Sequence, residues 1–139
     1  MGLAPRLSRA AFLLAAWPVV VRAALRVARR LEAGRLEAIP GELRRVPPFR
    51  WRWLARPDWL DGVLVRLLPL LPPRRAGRCL KRSLMLLDLW SRCGVESTLH
   101  LGVRRPGQGA LEGHAWVSTG RPALDRRTGP EGWEEMWRG

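Results

Sequence analysis

The sequence predicts an α+β fold in which a helical region is followed by one buried helix and a three-stranded antiparallel sheet. Three observations predict it. A helical apolar pattern opens the chain, a second one covers residues 80–92, and alternating patterns cover residues 95–104 and 111–119. With 139 residues, 47% of them hydrophobic, the chain is about one domain with a modest core. We expect a basic, mainly helical region over residues 1–71 to pack on a core over residues 72–139.

The first thirty residues predict an amphipathic helix. The apolar run over residues 10–21 resembles a signal peptide in outline, but it is shorter than the ~20 residues that cross a bilayer. The periodicity also continues beyond the run, so we expect a structural helix packed on the protein, with membrane-surface contact and export as alternatives. The predicted inner face consists of Leu13, Trp17, Val20, Ala24, Val27 and Leu31, and the cations opposite are Arg22, Arg26, Arg29 and Arg30.

Seven prolines interrupt residues 38–75 and leave room only for short helices. The best candidate covers residues 59–68, with Asp58 as its N-cap. Trp51, Trp53 and Trp59 alternate with arginines in this segment. Such rings either stack on nucleic-acid bases or anchor an irregular segment on the core, and we expect anchoring.

The second half of the chain predicts the central helix and the sheet. Pro72 and Pro73 prevent a helix from extending upstream, so the helix begins near Cys79, and Gly94 is suited to end it. Its narrow polar stripe predicts that it is largely buried. A strand over residues 95–104, a turn over 105–109, a strand over 111–119 and a third strand over 122–125 would then form a meander.

Cys79 and Cys93 lie at opposite ends of the predicted helix, about 21 Å apart at a rise of 1.5 Å per residue. A disulfide requires Cα atoms within about 7 Å, so the two thiols cannot pair. The same separation excludes a zinc site shared by both cysteines with His100 and His114. We expect no metal, no cofactor and a reducing cytoplasm.

The net charge of +13 comes almost entirely from the first half of the chain. Residues 1–78 carry 16 arginines against five acidic residues, whereas residues 79–139 carry nine cations against seven acids. This excess suggests an acidic partner, and a nucleic-acid or membrane-surface binding module is one interpretation. The ordered motifs, however, lie in the nearly neutral half, and no nucleic-acid recognition motif is present.

Cys79, His114 and Asp125 are the candidate catalytic residues. The first turn of a helix and the cations beside Cys79 stabilise a thiolate, and its backbone N–H is a candidate oxyanion donor. His114 lies between two small residues in a strand, where it would act as the base, and Asp125 on the next strand would orient its imidazole. His100 is the rival base, with only Glu96 or Glu112 available to orient it.

The segments RCLKRSLMLLDLWSRCGVESTLHLGVR, residues 78–104, and GHAWVSTGRPAL, residues 113–124, carry a family resemblance. They resemble the cysteine proteases of lasso-peptide biosynthesis, which are small members of the transglutaminase-like, papain-like superfamily. The resemblance covers residues 72–125 closely, whereas residues 1–71 agree only in their basic, helical character. Ser118 stands where the family has an acidic residue, outside the presumed triad.

The resemblance implies cleavage of a ribosomally made precursor between its leader and its core. Cys79 would attack the scissile carbonyl, His114 would transfer the proton and Asp125 would orient His114. The implied partners are the precursor peptide, a separate winged-helix leader-recognition protein and an asparagine-synthetase-like cyclase that joins the freed amine to an acidic side chain. Nucleic acid is not an expected partner, and an acyltransferase on the same fold is a further alternative.

Overall fold

The computed structural model describes residues 8–72, 77–105, 107, 109–125 and 133–139, and it confirms the α+β fold. The helices are α1 (Arg9–Ala33), α2 (Ile39–Leu43), α3 (Pro57–Leu67), α4 (Arg78–Arg92) and α5 (Pro122–Asp125). The strands are β1 (Thr98–Arg104), β2 (Glu112–Ser118) and β3 (Glu134–Arg138). The boundary between residues 71 and 72 stays a prediction.

Helix α4 is the centre of the molecule, as its narrow polar stripe predicts. It contacts α1, α2 and α3 as well as strand β2, and every residue from Ser83 to Trp90 is buried. Cys93 caps its C-terminus and Gly94 follows with φ of 77°, the left-handed conformation expected there. The helix therefore fixes both cysteines relative to the sheet.

Helix α1 buries a stripe that matches the predicted inner face only in part, since Val20, Ala24 and Val27 are buried as expected. Trp17, which we placed on the inner face, is 50% exposed, and Leu13 and Leu31 are only partly buried. Four of the seven buried positions are alanines, whose small side chains let α1 approach α3 and α4 closely. The buried side chains are Phe12, Ala16, Val20, Ala23, Ala24, Val27 and Ala28.

Two ion pairs join the outer helices to α4. Asp88 is fully buried and accepts hydrogen bonds from Arg26 Nε at 2.9 Å and Arg26 Nη2 at 2.8 Å. These bonds raise the pKa of Arg26. Asp61 of α3 is likewise buried against Arg82 at 3.0 Å. Asp88 and Arg82 of α4 therefore both make contacts between helices, and Arg26 does not belong to a solvated face.

By length and composition α1 could cross a membrane, although the apolar run seen in the sequence is shorter than a span. In the most apolar 18-residue stretch of α1, 33% of the residues are buried in the fold. Arg26, which lies within the helix, pairs with Asp88 of α4, so the inner face of α1 packs against the rest of the protein. The outer face leaves Leu14, Trp17 and Leu25 exposed.

The strand predicted at residues 122–125 is wrong, because these residues form α5. Pro122 has the fixed φ that suits the first turn of a helix. The Asp125 carboxylate accepts hydrogen bonds from the N–H groups of Thr119 and Gly120, and these bonds stabilise the turn before α5. The third strand is β3, which pairs with β1, so the order is β2-β1-β3 and the sheet is not a meander. Leu101 of β1 lies between Ala115 of β2 and Trp137 of β3.

The proline-rich segment differs from its prediction in two details. Helix α3 begins at Pro57, and Asp58 lies in its first turn, so Asp58 is not the N-cap. Trp59 packs edge-on against Phe12 with ring centroids 5.1 Å apart and anchors the segment as expected. Trp51 and Trp53 instead stack on each other and are 60% and 38% exposed.

Candidate active site

An open cavity of about 580 Å³ lies at the start of α4, where it meets β1, β2 and β3. Cys79 and His114 both line it, together with Glu37, which supplies a carboxylate. The rest of its lining is largely apolar and includes Leu36, Leu80, Leu101, Val103, Met136 and Trp137. The cavity therefore offers a thiol and an imidazole beside a surface that suits apolar side chains.

Cys79 is the second residue of α4 and is partly exposed. Gly77 caps the helix without a side-chain hydrogen bond, so no capping side chain at this position occupies the N–H groups of the first turn. These groups face the negative charge of a thiolate or of an oxyanion formed beside it. Cys79 therefore lies in the first turn of α4, as the sequence predicts, and its role as a nucleophile stays a prediction.

Cys93 has the opposite environment at the far end of the same helix. Burial raises the pKa of its thiol to about 12, so it stays protonated at neutral pH. This agrees with the expectation that each cysteine acts singly. Both thiols are free in the structure.

His114 lies on β2 opposite Gly102 of β1. Its ring stacks on Trp133, with centroids 4.7 Å apart, and on Trp116 at 5.9 Å. Stacking uses the faces of the imidazole, whereas proton transfer uses the nitrogens at its edge. Stacking on the faces of the ring would therefore not by itself prevent proton transfer at its edge.

Asp125 lies on the short helix α5, not on a strand, and it is not part of the lining of the Cys79 cavity. Its Oδ1 accepts hydrogen bonds from Thr119 N at 2.8 Å and from Thr119 Oγ1 at 2.7 Å. Its Oδ2 accepts from Gly120 N at 3.1 Å. The structure thus brings Cys79 and His114 to one cavity and places Asp125 just beyond the end of β2.

His100 is buried away from that cavity, and its nearest acid is neither Glu96 nor Glu112. Its Nε2 lies 2.6 Å from Ser118 Oγ, and its Nδ1 lies 3.3 Å from Glu135 Oε1, a contact not aligned as a hydrogen bond. Ser118, the position that departs from the family pattern, is therefore a partner of His100. The sequence does not predict Glu135 as a neighbour of His100, because it does not predict strand β3.

Two residues near the site, Trp133 and Trp137, are not predicted from the sequence. Trp133 stacks on His114 and Trp137 lines the cavity. The alternation of β3 is interrupted, because Leu101 pairs with Trp137 whereas Gly102 pairs with Glu135, which leaves Met136 as an extra residue. Adjacent Glu134 and Glu135 further obscure a strand pattern. The two tryptophans four residues apart are the available signal, and they suit a helix as well as a bulged strand.

Among the described residues, no group of three His, Cys, Asp or Glu side chains is arranged to hold a metal ion. A family model described as the transglutaminase-like superfamily matches residues 19–138. No curated protein and no solved structure matches the chain significantly. The family match extends from the middle of α1 to the end of β3 and so includes both the helices and the sheet.

Proposed function

The chain belongs to the transglutaminase-like superfamily, and from that premise we propose that it is a cysteine endopeptidase that removes the leader from a lasso-peptide precursor. The superfamily includes cysteine proteases and transferases that work through a thiol. The observation that carries the proposal is the shared cavity of Cys79 and His114. The closeness of residues 78–104 and 113–124 to the lasso-peptide proteases supports the choice of substrate.

The proposed reaction begins with transfer of the Cys79 thiol proton to His114. The thiolate attacks the scissile carbonyl, and the first-turn N–H groups of α4 stabilise the oxyanion. His114 then protonates the leaving amine, which is the N-terminus of the core peptide, and leaves the leader as a thioester on Cys79. Water activated by His114 releases the leader. Asp125 is proposed to orient the imidazole through this cycle.

The proposed partners follow from this reaction. The precursor is delivered by a separate leader-recognition protein of the winged-helix type, and the freed amine is consumed by an asparagine-synthetase-like cyclase. All of this takes place in a reducing cytoplasm, which keeps the Cys79 thiol available. The excess of arginines in residues 1–78 suits an acidic leader or an acidic partner. Peripheral contact of the exposed face of α1 with a membrane is a weaker proposal.

The test is cleavage of a labelled leader–core peptide by the full chain with its recognition partner. Cys79→Ala and His114→Ala should each lower the rate by about 10³-fold or more. Cys93→Ala is the matched control and should leave the rate unchanged, because Cys93 is a partly buried, protonated thiol at the other end of α4. Cleavage by Cys79→Ala at the parental rate would rule out the thiol mechanism.

The alternative on the same fold is acyl transfer to an amine instead of water. Adding a small primary amine to the reaction separates the two, because a transferase gives a leader–amine adduct and a protease gives the free acid, which mass spectrometry distinguishes. The exposed Trp51–Trp53 pair beside Arg50 and Arg52 favours testing a third activity, nucleic-acid binding. Salt-sensitive DNA binding without any peptide cleavage would favour that module.

A further inference from the structure

We propose that Trp133 is a positioning residue for His114, holding the imidazole in place by ring stacking. The inference rests on the proposed function, because it takes His114 as the base. It adds a side chain that neither the motif pattern nor the triad includes. The inference is supported by the stacking of Trp133 on His114 and by Gly102, which leaves space for the rings.

Four near-parallel rings form an aromatic stack on one face of the sheet, which we define as His100, Trp116, His114 and Trp133. His100 and Trp116 are 5.3 Å apart at 6°, His114 and Trp116 are 5.9 Å apart at 18°, and His114 and Trp133 are 4.7 Å apart at 24°. Successive side chains of a strand point to opposite faces, so His114 and Trp116 share the face away from buried Ala115 and Val117. Trp133 makes the shortest contact with His114 in this stack.

The stack exists because Gly102 has no side chain. His114 lies on β2 and Trp133 precedes β3, and β1 lies between these two strands. A Cβ at Gly102 would lie 2.7 Å from Cζ3 of Trp116 and 2.8 Å from the Glu134 carbonyl oxygen. Both contacts are closer than carbon and oxygen atoms tolerate. Gly102 therefore lets rings from the two edges of the sheet meet over its central strand.

Trp133 is itself held from outside. The guanidinium carbon of Arg104 lies 4.3 Å from the centre of its ring, and Arg104 Nε donates to Glu112 Oε2 at 3.1 Å. Trp133 is partly buried between this cation and His114. An indole held by both a cation and an imidazole makes a rigid platform, in contrast to a loop side chain that rotates in solvent.

A platform of this kind has two effects on a base. It restricts rotation of the imidazole, so the ring nitrogen that accepts the Cys79 proton keeps its direction. It also places the electron-rich face of an indole against the imidazolium that forms when the proton arrives. Trp133 is not part of the lining of the Cys79 cavity, so its removal should act on turnover and leave substrate binding unchanged.

The experiment compares Trp133→Leu and Trp133→Phe with Trp53→Leu, an exposed tryptophan that contacts Trp51 instead of the stack. In precursor cleavage, Trp133→Leu should lower kcat about ten- to a hundredfold with KM within about twofold, since misplacing a catalytic group is costly. Trp133→Phe should restore most of kcat because it keeps a stacking ring. Trp53→Leu should match the parent.

A second measurement does not depend on cleavage. In proton–carbon NMR spectra of the intact protein, stacking on an indole should shift the His114 ring protons upfield, and Trp133→Leu should remove that shift while Trp133→Phe retains part of it. Parental kcat in Trp133→Leu, or unmoved His114 signals, would overturn the proposal. If Trp133→Leu does not fold, an unmoved His114 signal in Trp133→Ala or a failure of Trp133→Phe to retain kcat overturns it instead. A parent that cleaves no precursor while its His114 signals still depend on Trp133 refutes the proposed function and leaves the platform supported.

Discussion

Cys79 and Cys93 show how position within one helix sets the chemistry of a residue type. Both lie at ends of α4, but the first lines an open cavity at the N-terminus, whereas the second is the partly buried C-cap residue. The negative end of the helix dipole lies at the second position, where it disfavours a thiolate. Burial acts in the same direction at Cys93, where it raises the pKa to about 12.

This pKa predicts a pH dependence of stability. The Cys93 thiol ionises near 9.0 in an unfolded chain and near 12 in the folded one, so the unfolded state loses its proton first. Stability contributed by Cys93 is therefore complete below about pH 9 and declines as the pH rises toward 12. Urea titrations of the parent and Cys93→Val at several alkaline pH values should show a shallower decline in the variant. Equal declines would contradict the assignment.

Gly102→Ala should destabilise the fold by about 2 kcal/mol, the usual cost of overpacking. Its added methyl group would meet the Trp116 ring at 2.7 Å and the backbone oxygen of Glu134 at 2.8 Å, and the backbone atom cannot rotate away. Gly113→Ala is the matched control, because nothing lies within 4 Å of a Cβ there. Denaturation midpoints measure both, and an equal effect of the two substitutions would argue against a tight approach at Gly102.

Asp125→Asn should lower turnover substantially and leave the fold intact. The asparagine oxygen can still accept from Thr119 N and Oγ1, and only the contact with Gly120 is lost, which costs about 1 kcal/mol. Orientation of a histidine, by contrast, depends on the negative charge. Parental turnover in Asp125→Asn would show that another group orients His114. Asp125→Ala, which loses all three contacts, serves as the structural comparison.

At the scale of elements, the join between α1 and α4 depends on one buried carboxylate. Arg26→Met would leave the fully buried Asp88 without the cation that it binds at 2.8 Å, which should cost about 3 kcal/mol. The double variant Arg26→Met with Asp88→Leu should recover most of that loss, since no charge then remains buried. Chemical denaturation of the four proteins in this cycle measures the coupling, and additive losses would show that the pair contributes nothing specific.

The elements that the sequence predicts correctly are those with uninterrupted local patterns. Helix α4, β1 and β2 follow from periodicity and from Gly94, and they appear where expected. Strand β3 is not predictable from alternation, because the extra residue Met136 interrupts it. Helix α5 is not predictable from periodicity, because its four residues are too few to show a helical period. In α1 the period is correct but the inner face is rotated, since alanines and not Trp17 allow the close approach of its neighbours.

At the scale of the whole molecule, the candidate site could be predicted only in part. Cys79 and His114 have recognisable local environments, and the sequence predicts that they approach each other across 35 positions. The remaining walls of the cavity come from Leu36, Met136 and Trp137, which lie far apart in the chain and carry no local sign of meeting. Long-range packing of this kind is not encoded in a pattern of neighbouring residues.

The uneven charge predicts how ionic strength affects the proposed reaction. Residues 1–78 hold 16 of the 25 cations, so attraction of an acidic leader should weaken as salt screens it. We expect KM for an acidic precursor to rise severalfold between low and physiological ionic strength, with kcat unchanged. A precursor with neutralised leader residues is the control, and the same salt dependence for both peptides would exclude a role for leader charge.

The two buried carboxylates of the helical layer also have a thermal consequence. Hydration of charged groups becomes less favourable on heating, so the cost of keeping Asp88 and Asp61 away from water falls as the temperature rises. The described residues of the sheet include no buried carboxylate, and that of Glu135 at its edge is partly exposed, at 33%. The helices around α4 should therefore be the last part of the molecule to melt, and the strands that carry His114 should loosen before the helix that carries Cys79.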